Sequence, residues 1–234
     1  TGGLALEAAE AASIFGIYVA FVYLLSLPGG LIADRITGLR NAVLIGAVLI
    51  LAGSFTMAIP NRAAIWPGMV LVAIGTGLLK PNISAMVGEL YRGQEGGRRS
   101  RDVGYSIFFV SINIGAFIAF LLCGYVGRTY GWHWGFALAG TGIATAIAIF
   151  LAFAHRSSER IPTTAARPLT GSERRRLLRM SVAVVAVAVA ATVVLAALRI
   201  LTIELVVVIL ALVVVLIPIA YFVRLGRELR GRGA

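Results

Sequence analysis

A lysine stands inside an apolar run at position 80, and it is the residue here best suited to charge chemistry. In Gly75-Thr-Gly-Leu-Leu-Lys-Pro-Asn82 it lies roughly 13 Å from the nearer end of segment 67–88 at helical rise. A cation at that depth is costly in lipid and marks a proton, ion or substrate path. Side chains lean toward their helix N-terminus, which aims Lys80 back toward the bilayer centre rather than toward water. Pro81 removes the backbone bond to Gly77, so regular helix is expected to fail at Lys80. Gly75 and Gly77 predict the close approach of a second helix. The stretch therefore reads as a kinked, closely packed helix offering one charge to a cavity, like the discontinuous helices of transporter sites. The sequence places no acidic residue at comparable depth, so a carboxylate partner is expected from elsewhere.

Two further side chains suit a polar cavity. Asn113, in segment 104–127, is expected to be buried, facing either a ligand or another helix. Tyr23, eleven residues before Asp34, is too deep for an interfacial belt and reads as a cavity hydroxyl or a core residue. Between the first two spans runs Gly30-Leu-Ile-Ala-Asp34-Arg35-Ile-Thr-Gly38-Leu-Arg40. Close packing at Gly30, a carboxylate at a helix end and a tight turn at Gly38 are the parts of a latch that can make and break. Catalysis has no comparable support. His133 and His155 fall at opposite sides of the membrane, and there is no H-E-x-x-H, G-x-S-x-G or metal-ligand cluster. No cofactor or metal is expected. Cys123, the sole cysteine, rules out an intrachain disulfide and reads as a small buried hydrophobe.

The elements that must hold these residues are membrane helices. Hydrophobic residues make up 59% of 234 positions and charged residues 13%, far from the composition of a water-soluble domain. Seven apolar stretches are long enough to span a bilayer: 11–33, 41–59, 67–88, 104–127, 134–154, 180–198 and 203–223. Pro67 reads as the first-turn start of the third. Segments 182–198 and 205–217 are apolar at almost every position, which excludes the alternation of a β-barrel. The chain divides into a five-span bundle (1–154), a cytoplasmic linker (155–179), a transmembrane hairpin (180–223) and a tail (224–234).

Twenty of the 21 basic residues are arginine, and they flank apolar segments instead of forming a nucleic-acid patch. Seventeen fall on one side of the membrane; Arg62, Arg128 and Arg199 fall on the other. That asymmetry predicts an outside N-terminus and a cytoplasmic C-terminus.

Four stretches resemble the proton-dependent oligopeptide transporters (POT/PTR) of the major facilitator superfamily. They are Gly29-Gly-Leu-Ile-Ala-Asp-Arg35, Gly75 to Asn82 with its Lys-Pro-Asn, Phe108-Phe-Val-Ser-Ile-Asn113-Ile-Gly115, and Tyr130-Gly-Trp-His-Trp-Gly-Phe136. The resemblance implies an all-α polytopic membrane protein: family helices two to six of the N-terminal bundle, plus the helix pair that bacterial members insert between their halves. Family helix one, with its E-x-x-E-R motif, and the C-terminal six-helix half have no counterpart and are expected as partners. It further implies symport of small peptides with protons across the cell membrane, driven by the proton gradient. Lys80 would serve proton coupling and the peptide carboxylate. Tyr23, Asn113 and Phe109 would contact the peptide, Phe109 standing where the family commonly has tyrosine. Gly30, Asp34, Arg35, Gly38 and Arg40 would form the cytoplasmic gate. Another facilitator, such as a drug exporter, or a non-transporting membrane scaffold are the alternatives.

Overall fold

An apolar run in lipid must satisfy its backbone internally, and a single segment can do so only as a helix. In a computed structural model of the chain, which describes residues 7–91, 97–157 and Thr164, five of the seven runs take this form. They are α1 (Ala8–Ile32), α2 (Leu39–Ala58), α3 (Arg62–Leu90), α4 (Gly97–Tyr130) and α5 (Trp132–Ser157), with a π-helical turn, Ala33–Thr37, after α1. Each has the length and hydropathy of a membrane span. The expected hairpin at 180–223, the tail at 224–234 and the linker apart from 155–157 and Thr164 lie outside the described residues. Contacts sort the described residues into two units, one from Leu25 onward and one up to Leu24, and each is taken by itself.

The unit from Leu25 is organised around α2, which packs along α3 and against α5. Two reciprocal glycine pairs set the α2–α3 contact. A Cβ on Gly46 would lie 2.7 Å from the Gly75 carbonyl oxygen, and one on Gly75 2.6 Å from that of Gly46. One turn pair further along, Gly53 and Gly68 repeat this at 2.7 and 2.9 Å. Lipid tails are as apolar as leucine, so helices in membranes associate by such close backbone approach. α4 packs on α5 and meets α3 near one end only. Cys123 is half-buried at the α4–α5 crossing, where its carbonyl oxygen faces Gly135.

The helices overrun the expected spans. α3 starts at Arg62, because the Asn61 side chain accepts the Ala63 N–H at 2.9 Å and caps the helix there. Pro67 therefore sits in the second turn instead of opening the helix. α4 begins at Gly97, so the backbone of Arg99 and Arg101, expected in a loop, is helical. Its 34 residues span about 51 Å at helical rise. That exceeds a hydrocarbon core of about 30 Å, so the charged first turns project beyond it.

Candidate functional site

Lys80 lies exposed on α3, and the helix is unbroken through Lys80 and Pro81. The expected interruption does not occur. Pro81 costs α3 the bond to the Gly77 carbonyl, but that carbonyl is pressed against the backbone of Gly29 in α1. Gly77 in turn faces Leu25, whose Cβ would be 2.6 Å from an added side chain. Asn82, two residues beyond Lys80, is 2% exposed and ties the same crossing. Its Nδ2 donates to the Gly29 carbonyl at 3.1 Å and to the Leu78 carbonyl at 2.7 Å. One buried amide thus ties α1 to α3 directly after the proline.

The expected close packing at Gly30 is corrected to Gly29. A Cβ on Gly30 would meet nothing within 4 Å, since it points about 100° away from the α3-facing side of the helix. The rest of the turn is as the sequence suggested. Asp34 and Arg35 lie in the π-helical turn, which closes with Gly38 N–H donating to the Ala33 carbonyl at 2.8 Å. Gly38 takes φ 79°, a left-handed value that a side chain would strain. Asn41 Nδ2 donates to the Thr37 carbonyl at 3.0 Å, tying the turn to α2. Arg40, half-buried in the first turn of α2, keeps its Nε buried without a hydrogen-bond partner among the described residues. An orphaned donor of that kind costs about 1–3 kcal/mol.

Phe109 and Asn113 stand one turn apart on α4, and both are exposed. The expectation of a buried Asn113 is overturned: its Nδ2 donates to the Phe109 carbonyl at 2.8 Å within its own helix. Every residue from 109 to 122 is exposed, so no described helix covers this stretch. Tyr23 is 54% exposed on the first part of α1. The gate residues are thus gathered in one turn, whereas Tyr23, Lys80 and the Phe109–Asn113 pair are carried on three different helices.

The contact that fixes α3 against α4 involves none of the sequence-predicted site residues' side chains. Tyr105 Oη donates to the Ser84 carbonyl at 3.2 Å, and Ser84 Oγ donates to the Lys80 carbonyl at 3.3 Å. The Tyr105 hydroxyl would lie 2.7 Å from a Cβ on Gly88, and the Tyr91 ring lies directly on Gly104. Arg101 stacks over the Tyr105 ring at 5.7 Å. Two tyrosines each covering a glycine of the opposite helix were the available signal, but the members of each pair stand far apart in sequence.

Among the described residues, five lipid-length helices, with glycine contacts joining α2 to α3, a cation on α3 and a polar turn after α1, define a multi-pass α-helical membrane protein. The POT family model matches residues 40–170, and the chain belongs to that family. The peptide transporter YePEPT of Yersinia enterocolitica (subsp. palearctica serotype O:3, strain YE-P4) is 44% identical over 156 residues, 65% of this chain and 30% of the relative. The di-/tripeptide transporter of Lactococcus lactis subsp. lactis (strain IL1403) is 34% identical over 225 residues, 95% of this chain and 45% of the relative. A POT family transporter solved in complex with 5-aminolevulinic acid superposes with a TM-score of 0.83 at 34% identity, covering 94% of this chain and 45% of that one. The peptide transporter POT in complex with sulfate gives 0.81 at 38%, with 95% and 45% covered. The chain thus spans less than half the length of these relatives.

Proposed function

We propose that this chain is part of a transporter that carries short peptides across the cytoplasmic membrane together with protons, by alternating access. The observation that carries the reading is Lys80 on a membrane helix of a POT family chain whose relatives are named peptide and di-/tripeptide transporters. Lys80 serves as the cation that pairs with the peptide carboxylate and that couples to protons. Tyr23, Phe109 and Asn113 contact the peptide, two of them offering polar groups. The Gly30–Arg40 turn is the cytoplasmic gate; the buried, unused Nε of Arg40 supports this, since an opposing segment could satisfy it when the gate closes. Helix one and a second six-helix half complete the path, because alternating access needs two bundles around one site. The proton gradient is the driving force, and no cofactor takes part. Thr1 lies outside and Ala234 inside, as the arginine asymmetry supports.

In the intact transporter, Lys80→Ala abolishes proton-driven accumulation of a dipeptide in proteoliposomes. Lys80→Arg fails too, because arginine holds its proton at neutral pH. Wild-type accumulation by either variant would reduce Lys80 to a structural residue. For orientation, a cysteine at position 61 is labelled from outside by an impermeant reagent and one at position 95 is spared; the reverse pattern would overturn the topology.

A further inference from the structure

Basic residues are scarce at the end of the bundle opposite the arginine-rich loops. The sequence puts Arg62, Arg128 and Arg199 there, against seventeen on the other side, and each works against the charge bias that orients the chain. The two that are described do not scatter. Arg62, in the first turn of α3, and Arg128, in the last turns of α4, line the same cavity of about 730 Å³. That volume lies within the range of small-ligand sites.

Both walls of the cavity are tied corners. In the α2–α3 corner, Asn61 N–H donates to the Ile59 carbonyl at 2.7 Å while its side chain caps Ala63. In the α4–α5 corner, Gly131 turns the chain at φ 110°, and Trp134 N–H donates back to the Gly131 carbonyl at 3.0 Å. The Trp132 ring closes over Gly127, 2.8 Å from where a Cβ would stand. α3 and α5 both begin here, so two helix N-termini add positive potential to the two guanidinium groups. Among the described lining residues none is acidic. Met57, Ile65 and Phe136 give the cavity an apolar side as well.

We propose that this cavity binds the phosphate headgroup of an anionic phospholipid between Arg62 and Arg128. A free inorganic anion would use the positive groups but not the apolar wall, whereas a lipid brings a glycerol and its first methylenes. The depth also fits. Tyr130, Trp132 and Trp134 are 65%, 43% and 57% exposed at this corner, and such amphipathic rings settle at headgroup level. Basic pockets between membrane helices take lipid headgroups by the same chemistry. The site is separate from Lys80 and stands whether or not the transport reading holds.

The test uses the intact protein in nanodiscs of equimolar phosphatidylglycerol and phosphatidylcholine, whose lipids reach both faces irrespective of orientation. A phosphatidylglycerol with a photoactivatable headgroup is crosslinked and the adducts mapped by peptide mass spectrometry; retained lipid is counted by native mass spectrometry. Adducts fall within 57–65 and 127–136, and phosphatidylglycerol is retained about tenfold over phosphatidylcholine, the scale of charge-assisted hydrogen bonds. Arg62→Gln combined with Arg128→Gln removes the preference. Arg62→Lys with Arg128→Lys, which keeps the charge, retains it and guards against loss through misfolding. Equal retention of the two lipids, or adducts unchanged in the glutamine pair, would overturn the proposal. Displacement of the crosslink by millimolar inorganic phosphate would overturn the lipid source and assign the site to a free anion.

Discussion

α2 and α4 are both membrane helices, and the chain treats them in opposite ways. The apolar window of α2 has mean hydropathy 1.9 with 33% of it buried; that of α4 has mean hydropathy 2.3 with none buried. The more apolar helix is the less buried one. Hydropathy reports that a segment leaves water, but lipid and protein interior both qualify as the destination. Glycines distinguish the two. Those of α2 meet glycines of α3 backbone to backbone, whereas Gly115 and Gly124 of α4 have open space where a Cβ would go. α4 is held at its end by the tyrosine contacts and along α5, leaving the face with Phe109 and Asn113 available to ligand, lipid or partner helices.

The contrast is broken most directly by overpacking. Gly46→Leu drives a side chain into the α3 backbone and destabilises the bundle by more than about 3 kcal/mol, whereas Gly115→Leu stays within about 0.5 kcal/mol. Unfolding of each variant in a denaturing detergent titration measures this, and equal sensitivity of both sites would erase the distinction. Next in size is the asparagine pair. Asn82→Leu loses the buried bond to Gly29 and costs about 1–2 kcal/mol in the same assay, while Asn113→Leu leaves stability unchanged. The smallest effect is that of Tyr105→Phe, which removes the hydrogen bond to Ser84 for about 0.6 kcal/mol. An effect as large as that of Asn82→Leu would mean that α4 is anchored as firmly as α1.

Much of this was legible without coordinates. Five of the seven spans, the turn at Gly38 and the family follow from apolar run length, one glycine between charged residues, and four short motifs. Faces were harder. Gly30 and Gly29 look alike in sequence, and only the phase of α1 against α3 decides that Gly29 makes the contact. Asn82 and Asn113 are both asparagines in apolar runs, yet one is buried and the other exposed. Pro81 predicted a break because propensity is local; the crossing at Gly29 and Gly77 lies beyond what a local rule reads.

By itself, the sequence determined the solvent and the helical class. These depend on each segment's own partition between water and lipid, which can be read one segment at a time. The tertiary structure decided which glycines touch, which asparagine is buried, that α3 continues as a helix past Pro81, and that Arg62 and Arg128 share a cavity. Those outcomes depend on distances between residues up to 66 positions apart, and in lipid they leave no trace in hydropathy, because a protein neighbour and an acyl chain are nearly equivalent surroundings for an apolar side chain.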